Sequence, residues 1–122
     1  MKTFYAAIIF FFILLILIGV NYAYINARSD ELEKLTVELP SPESDGCSDS
    51  LEKIESLWKK NERIFSFSIV RSEINSVSEA IISLRVYCDK KDSVEFERHK
   101  LLLLDAIDEI RRLEAFKIES VL

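Results

Sequence analysis

The sequence predicts an all-α protein, with an N-terminal transmembrane helix followed by a small antiparallel three-helix bundle or hairpin. Three observations predict it. Residues 4–20, FYAAIIFFFILLILIGV, form an uncharged apolar run. The rest of the chain repeats its apolar residues at spacings of three and four, as a helix with one buried face does. The 122 residues include only two Gly and two Pro, and Gly46, Pro40 and Pro42 all fall in the single stretch LPSPESDGCSDS. Elsewhere little interrupts a helix. The length suits one small domain. The expected layout is a transmembrane anchor over 1–27, its helix extending as far as 36, a linker over 38–48, and an extracytoplasmic helical domain over 49–122.

With Asn21 as its one strongly polar interruption, the apolar segment runs from Phe4 to Ile25. At ~1.5 Å per residue these positions span about 33 Å, enough to cross a hydrocarbon core of ~30 Å. Tyr5 at one end and Tyr22 and Tyr24 at the other suit the two lipid–water interfaces. The competing reading is a cleaved signal peptide, which would release a secreted helical factor. A cut after Ala23 would have Asn21 two residues before it, and a cut after Ala27 would have Ile25 there. Neither matches the small-x-small pattern of such sites. The expected placement is a single-pass cell-membrane protein, N-terminus in the cytoplasm behind Lys2, that meets the bilayer through residues 4–25.

Ile25, Leu32, Leu35 and Leu39 carry the helical pattern onward to about Leu35, before the proline pair stops it. In the second helix, Asp49 and Glu52 have capping-box spacing, and Leu51, Ile54, Leu57, Trp58, Ile64 and Phe65 form its apolar face. Ser66 and Ser68 in FSFS offer caps at the break that follows. The third helix repeats Val70, Ile74, Val77, Ile81, Leu84 and Cys88 in steps of four and three, which keeps one stripe against a partner helix. Asp92 and Glu95 mark a fourth start, followed by Phe96, Leu101 to Leu104, Ile107, Ile110 and Leu113. Four consecutive leucines span about 300° of a helix. They imply contact with both other helices of the domain or, alternatively, an outer side that meets a partner.

All 21 acids lie at or beyond Asp30, and of 16 basic residues only Lys2 precedes Arg28. The domain is thus acidic, which argues against nucleic acid as a partner. No run of Lys and Arg marks a site for anionic lipid. Cys47 and Cys88 lie about equally far from the break near 65–68, so an antiparallel hairpin would bring them together as a candidate disulfide. The alternative is two unrelated thiols, with Cys88 buried in its stripe. No catalytic site, metal site or cofactor is expected. His99 and Glu95 share a helix face, but there is no second histidine to complete a zinc site. There is no GxSxG elbow and no glycine-rich phosphate loop.

The stretch LWKKNERIFSFSIVRSEINSVSEAIISLRVYCDKKDSVEF, residues 57–96, resembles the bacterial domain of unknown function 4363. The matching points are Trp58, EIN at 73–75 ahead of an amphipathic helix, the break at DKKDSVEF, and a short apolar C-terminal end. The chain departs from the family pattern at Val70 and Arg71, where an acid and a histidine are expected, and in the tail IESVL, where an Asn is expected. The resemblance implies a short helical protein with an N-terminal membrane segment, and it implies no activity. The function expected is a non-catalytic interaction or accessory module outside the cytoplasmic membrane. It would dock onto another membrane protein or a second copy of itself through Leu102, Leu104, Val121 and Leu122.

Overall fold

The computed structural model describes residues 1–67 and 69–121, with Val121 described by its backbone only. Four helices occupy the chain: α1 (Lys2–Val37), α2 (Cys47–Phe65), α3 (Arg71–Lys90) and α4 (Ser93–Val121). No strand occurs among the described residues.

The expected bundle of three helices has a fourth member, the second half of α1. Helix α1 packs against α2 and α4, and α3 packs against α2 and α4. The four therefore close a ring of antiparallel neighbours, the up-down-up-down arrangement that short connections favour. Ile25, Ser29, Leu32 and Thr36, spaced four, three and four apart, are the buried residues of α1. That spacing puts them on one face, directed into the ring. One continuous core joins Ile25 and Leu32 to Leu51, Ile54 and Phe65 of α2, Val77 and Leu84 of α3, and Phe96, Leu103 and Ile107 of α4. Each fully buried Leu or Ile contributes about 1.5–3 kcal/mol. The first half of α1 stands outside this ring, and Phe10, Phe11, Phe12, Ile16 and Leu17 are exposed along it.

Helix α1 ends at Val37, where Pro40 bars continuation. The connection that follows is tied down rather than free. Leu39 is buried, and the Lys100 ammonium donates to its carbonyl at 3.2 Å. Helix α2 then starts at Cys47, two residues ahead of the Asp49 start the sequence suggested. Its N-cap is Gly46, without a side-chain cap. Helix α3 starts at Arg71, and Val70 is its exposed N-cap rather than the first residue of the stripe; Ile69 is buried instead. Ser66 closes α2 through its hydroxyl on the Arg63 carbonyl, and the Ser68 cap lies outside the described residues. Asp92 does cap α4, accepting the Glu95 amide at 3.2 Å.

Of the leucines 101–104, only Leu103 is fully buried. Leu104 is half-buried, and Leu101 and Leu102 are exposed. Helix α4 has α3 and α1 as neighbours and α2 lies diagonally opposite, so its outer side has no helix to cover it.

Candidate interaction surface

Helices α3 and α4 run antiparallel, and the Tyr87 ring lies over the His99 ring with centroids 5.0 Å apart. From that level toward Glu73 at the start of α3 and Arg112 on α4, a shallow groove opens on the outside of the pair. Ala80, Ser83 and Ala106 form its floor, with Leu102 beside them. The three small residues lower the surface there, so a partner backbone could approach closely. Glu73, Glu79, Asp105 and Glu109 rim the groove, with Arg112 the one basic side chain on its border. The groove is a negatively charged, partly apolar trough.

Leu102 belongs to this groove, whereas Leu104 does not. Two positions apart on a helix are about 200° apart, so the two leucines face different sides. Leu122 lies outside the described residues, as does the side chain of Val121.

His99 is held within α4. Its Nδ1 lies 2.8 Å from the Glu95 carbonyl and 3.8 Å from the Glu95 carboxylate. Among the described residues, no group of three or more His, Cys, Asp or Glu side chains could hold a metal ion.

Cys47 and Cys88 are joined as a disulfide, with Cα atoms 6.5 Å apart, at the end of the bundle away from the apolar half of α1. Beside it Arg85 holds α3 to α2. Its guanidinium pairs with the Glu55 carboxylate and donates to the Ser48 hydroxyl at 2.8 Å. The Glu55 hydrogen bond holds the Arg85 guanidinium above its ordinary pKa, against the opposing effect of desolvation.

Several polar contacts inside the bundle escape a reading by periodicity. Asn61 is buried on the apolar face of α2, where its amide donates to the Leu57 carbonyl and accepts the Tyr24 hydroxyl. The Trp58 indole donates to Ser78 Oγ at 2.9 Å. The available signal was positional: Asn61 falls three after Trp58 and four before Phe65, on the same face.

A family model described as a domain of unknown function, DUF4363, matches residues 21–121. The matched segment takes in the second half of α1 and all of the ring. Comparison with curated proteins and with solved structures finds no match.

Proposed function

The chain belongs to the DUF4363 family, and on that premise we propose that it is a membrane-tethered, non-catalytic interaction module. The observation that carries this reading is the division of labour within α1. Its 36 residues form one helix, long and apolar enough in its first half to cross a membrane, and none of that apolar window is buried. Its second half supplies Ile25 and Leu32 to the bundle core. The ring is thereby fixed to the bilayer by an unbroken helix rather than by a linker. Residues 4–23 are the membrane contact, two short of the expected limit because Tyr24 and Ile25 pack into the bundle; the N-terminus is cytoplasmic, and the bundle lies outside. The Cys47–Cys88 bond suits that oxidising side.

The α3–α4 groove is the partner site. Its small floor and acidic rim fit a helix of another membrane protein that carries Lys or Arg beside a narrow apolar ridge. His99 serves the fold, engaged by Glu95 and Tyr87. The rival reading, a factor released by signal cleavage, is disfavoured at Ala27, because that cut removes Tyr24 and Ile25 from the bundle.

A photo-cross-linker at Leu102, in native membranes, tests the proposal. It should capture one membrane protein, and Ala106→Arg should abolish the capture without loss of helicity. Equal labelling from the outward-facing Lys34 would refute the groove as a specific site. Mass spectrometry of the mature N-terminus tests the anchor, and a chain that begins after Ala23 would refute it.

A further inference from the structure

We propose that the end of the bundle nearest α1's apolar half is a lipid-binding surface, seated in the headgroup region of an anionic bilayer through Phe67 and Phe116. The inference rests on the reading of α1 as a membrane span and goes beyond it, because it assigns a second, separate contact to α2, α3 and α4.

The level at which α1 leaves the hydrocarbon follows from its geometry. Counted from Phe4, a core of ~30 Å takes about 20 residues of helix, so α1 emerges near Ala23. The Tyr24 ring stands edge-on to the Phe65 ring at 6.5 Å. Phe65 is the last residue of α2, so the turn between α2 and α3 lies at the membrane level or just beneath it. That turn carries Phe67, 86% exposed, with exposed Ile64 and Val70 on either side. On the other side of α1, the descending end of α4 reaches the same depth. Phe116 and Ile118 border a crevice of about 490 Å³ with Ile18 and Asn21 of α1, and it is lined almost wholly by apolar surface. Phe116 is 67% exposed. Large apolar side chains left bare on two separate elements at one level are costly in water and suited to the interface.

The charge at this end departs from that of the whole. The chain carries a net −5. Yet Lys59, Arg63 and Arg71 border one hollow between α2 and α3, against a single acid, Glu62. None of the three basic side chains has an ion-pair partner among the described residues. Glu73 in the first turn of α3, and Glu114 and Glu119 on α4, are further acids near this end, and Lys117 pairs with Glu114 at 3.0 Å. The sequence offers no basic run, but the fold gathers these three from two helices. Long basic stems beside apolar tips match lipid phosphates above acyl chains.

Tryptophan quenching by brominated acyl chains, with the full chain in bilayer discs of phosphatidylcholine and phosphatidylglycerol, tests this. Trp58 is the only tryptophan. In a Trp58→Phe background, single tryptophans are placed at Ile13, Phe67, Phe116 and Val94, the last at the far end of the bundle. Ile13→Trp, Phe67→Trp and Phe116→Trp should lose emission, and Val94→Trp should keep it. Quenching at Ile13 alone would overturn the seating and leave the span intact. No quenching at Ile13 would overturn the span and the seating with it. Should Trp58→Phe unfold the protein, the same four sites are read with Trp58 kept and its emission subtracted.

Discussion

The Tyr24 hydroxyl donates to Asn61 Oδ1 at 2.6 Å, a bond from the helix that leaves the apolar segment to the helix that returns beside it. Asn61 is buried, and its other amide contact is the Leu57 carbonyl one turn back. Tyr24→Phe therefore removes a donor and leaves a buried oxygen without a partner, a cost of about 1–3 kcal/mol. Tyr24→Phe combined with Asn61→Leu removes both polar groups, and much of the loss should return. Urea unfolding of the full chain in micelles, followed by circular dichroism, reads both values. If the single and double variants are equally destabilised, the bond is not the cause.

Cys47 is the first residue of α2, and its N-cap, Gly46, offers no side chain to hold the helix start. The disulfide to Cys88 takes that role. It closes a loop with a sequence separation of 41, for which the chain-entropy account gives about 3–4 kcal/mol. The paired Cys47→Ala and Cys88→Ala variant should lose stability on that order, and amides near Leu51 should exchange faster with solvent. Two titratable thiols in native protein under denaturing, non-reducing conditions would remove this role and weaken the extracytoplasmic placement.

Arg111 clamps α4 to α1 through Asp30, at 2.7 Å, and Glu33. Both acids are largely exposed, so the pair is screened, and Arg111→Met should cost only about 0.5–1 kcal/mol. The loss should shrink as salt rises. A penalty that is large and independent of salt would mean that Arg111 acts by packing instead.

Much of this architecture is legible along the chain, and the parts that are not share one cause. Ile74, Val77, Ile81, Leu84 and Cys88 name the buried face of α3 because their four-three rhythm has a single helical meaning. The apolar run announces α1, yet its charge contrast with the next segment hides that Ile25, Ser29, Leu32 and Thr36 close the ring. Ser29 and Thr36 look polar, but small side chains let helices approach, and Thr36 satisfies its hydroxyl on the Leu32 carbonyl. The groove and the basic hollow are invisible in sequence for a different reason. Each is assembled from two helices, so Leu102 meets Ala80, and Arg63 meets Arg71, only once register is set by packing.

Lys91 closes α3 in the left-handed region, with φ 56° and ψ 36°. The amide of Asp92 reaches the Tyr87 carbonyl at 3.0 Å, as in a Schellman ending. A side chain in that conformation carries a penalty of roughly 1–2 kcal/mol that glycine avoids. Lys91→Gly should therefore stabilise the protein by about 0.5–1 kcal/mol, after the greater freedom of glycine in the unfolded chain is deducted. Lys91→Ala keeps the penalty and should give little change. A fall in the midpoint of thermal unfolding for Lys91→Gly would contradict the reading.

The four consecutive leucines of α4 provide the sharpest test of the ring itself. Leu103 is wholly buried and belongs to the core with Phe96 and Ile107, whereas Leu101 is exposed on the outer side of α4. Leu103→Ala leaves a cavity among residues that cannot fully collapse and should cost about 2–5 kcal/mol. Leu101→Ala removes the same atoms from a position in solvent and should stay within about 0.5 kcal/mol. If instead the outer side of α4 meets a partner, the alternative expected from the sequence, both changes would be severe. Leu102→Ala separates stability from binding: it should leave the unfolding midpoint almost unchanged while weakening capture of the partner by a photo-cross-linker placed at Ser83, on the same groove. The comparison needs only these three single alanine variants, unfolded side by side. Similar losses at 101 and 103 would mean that a further helix, or a second copy of the chain, covers the outer side of α4.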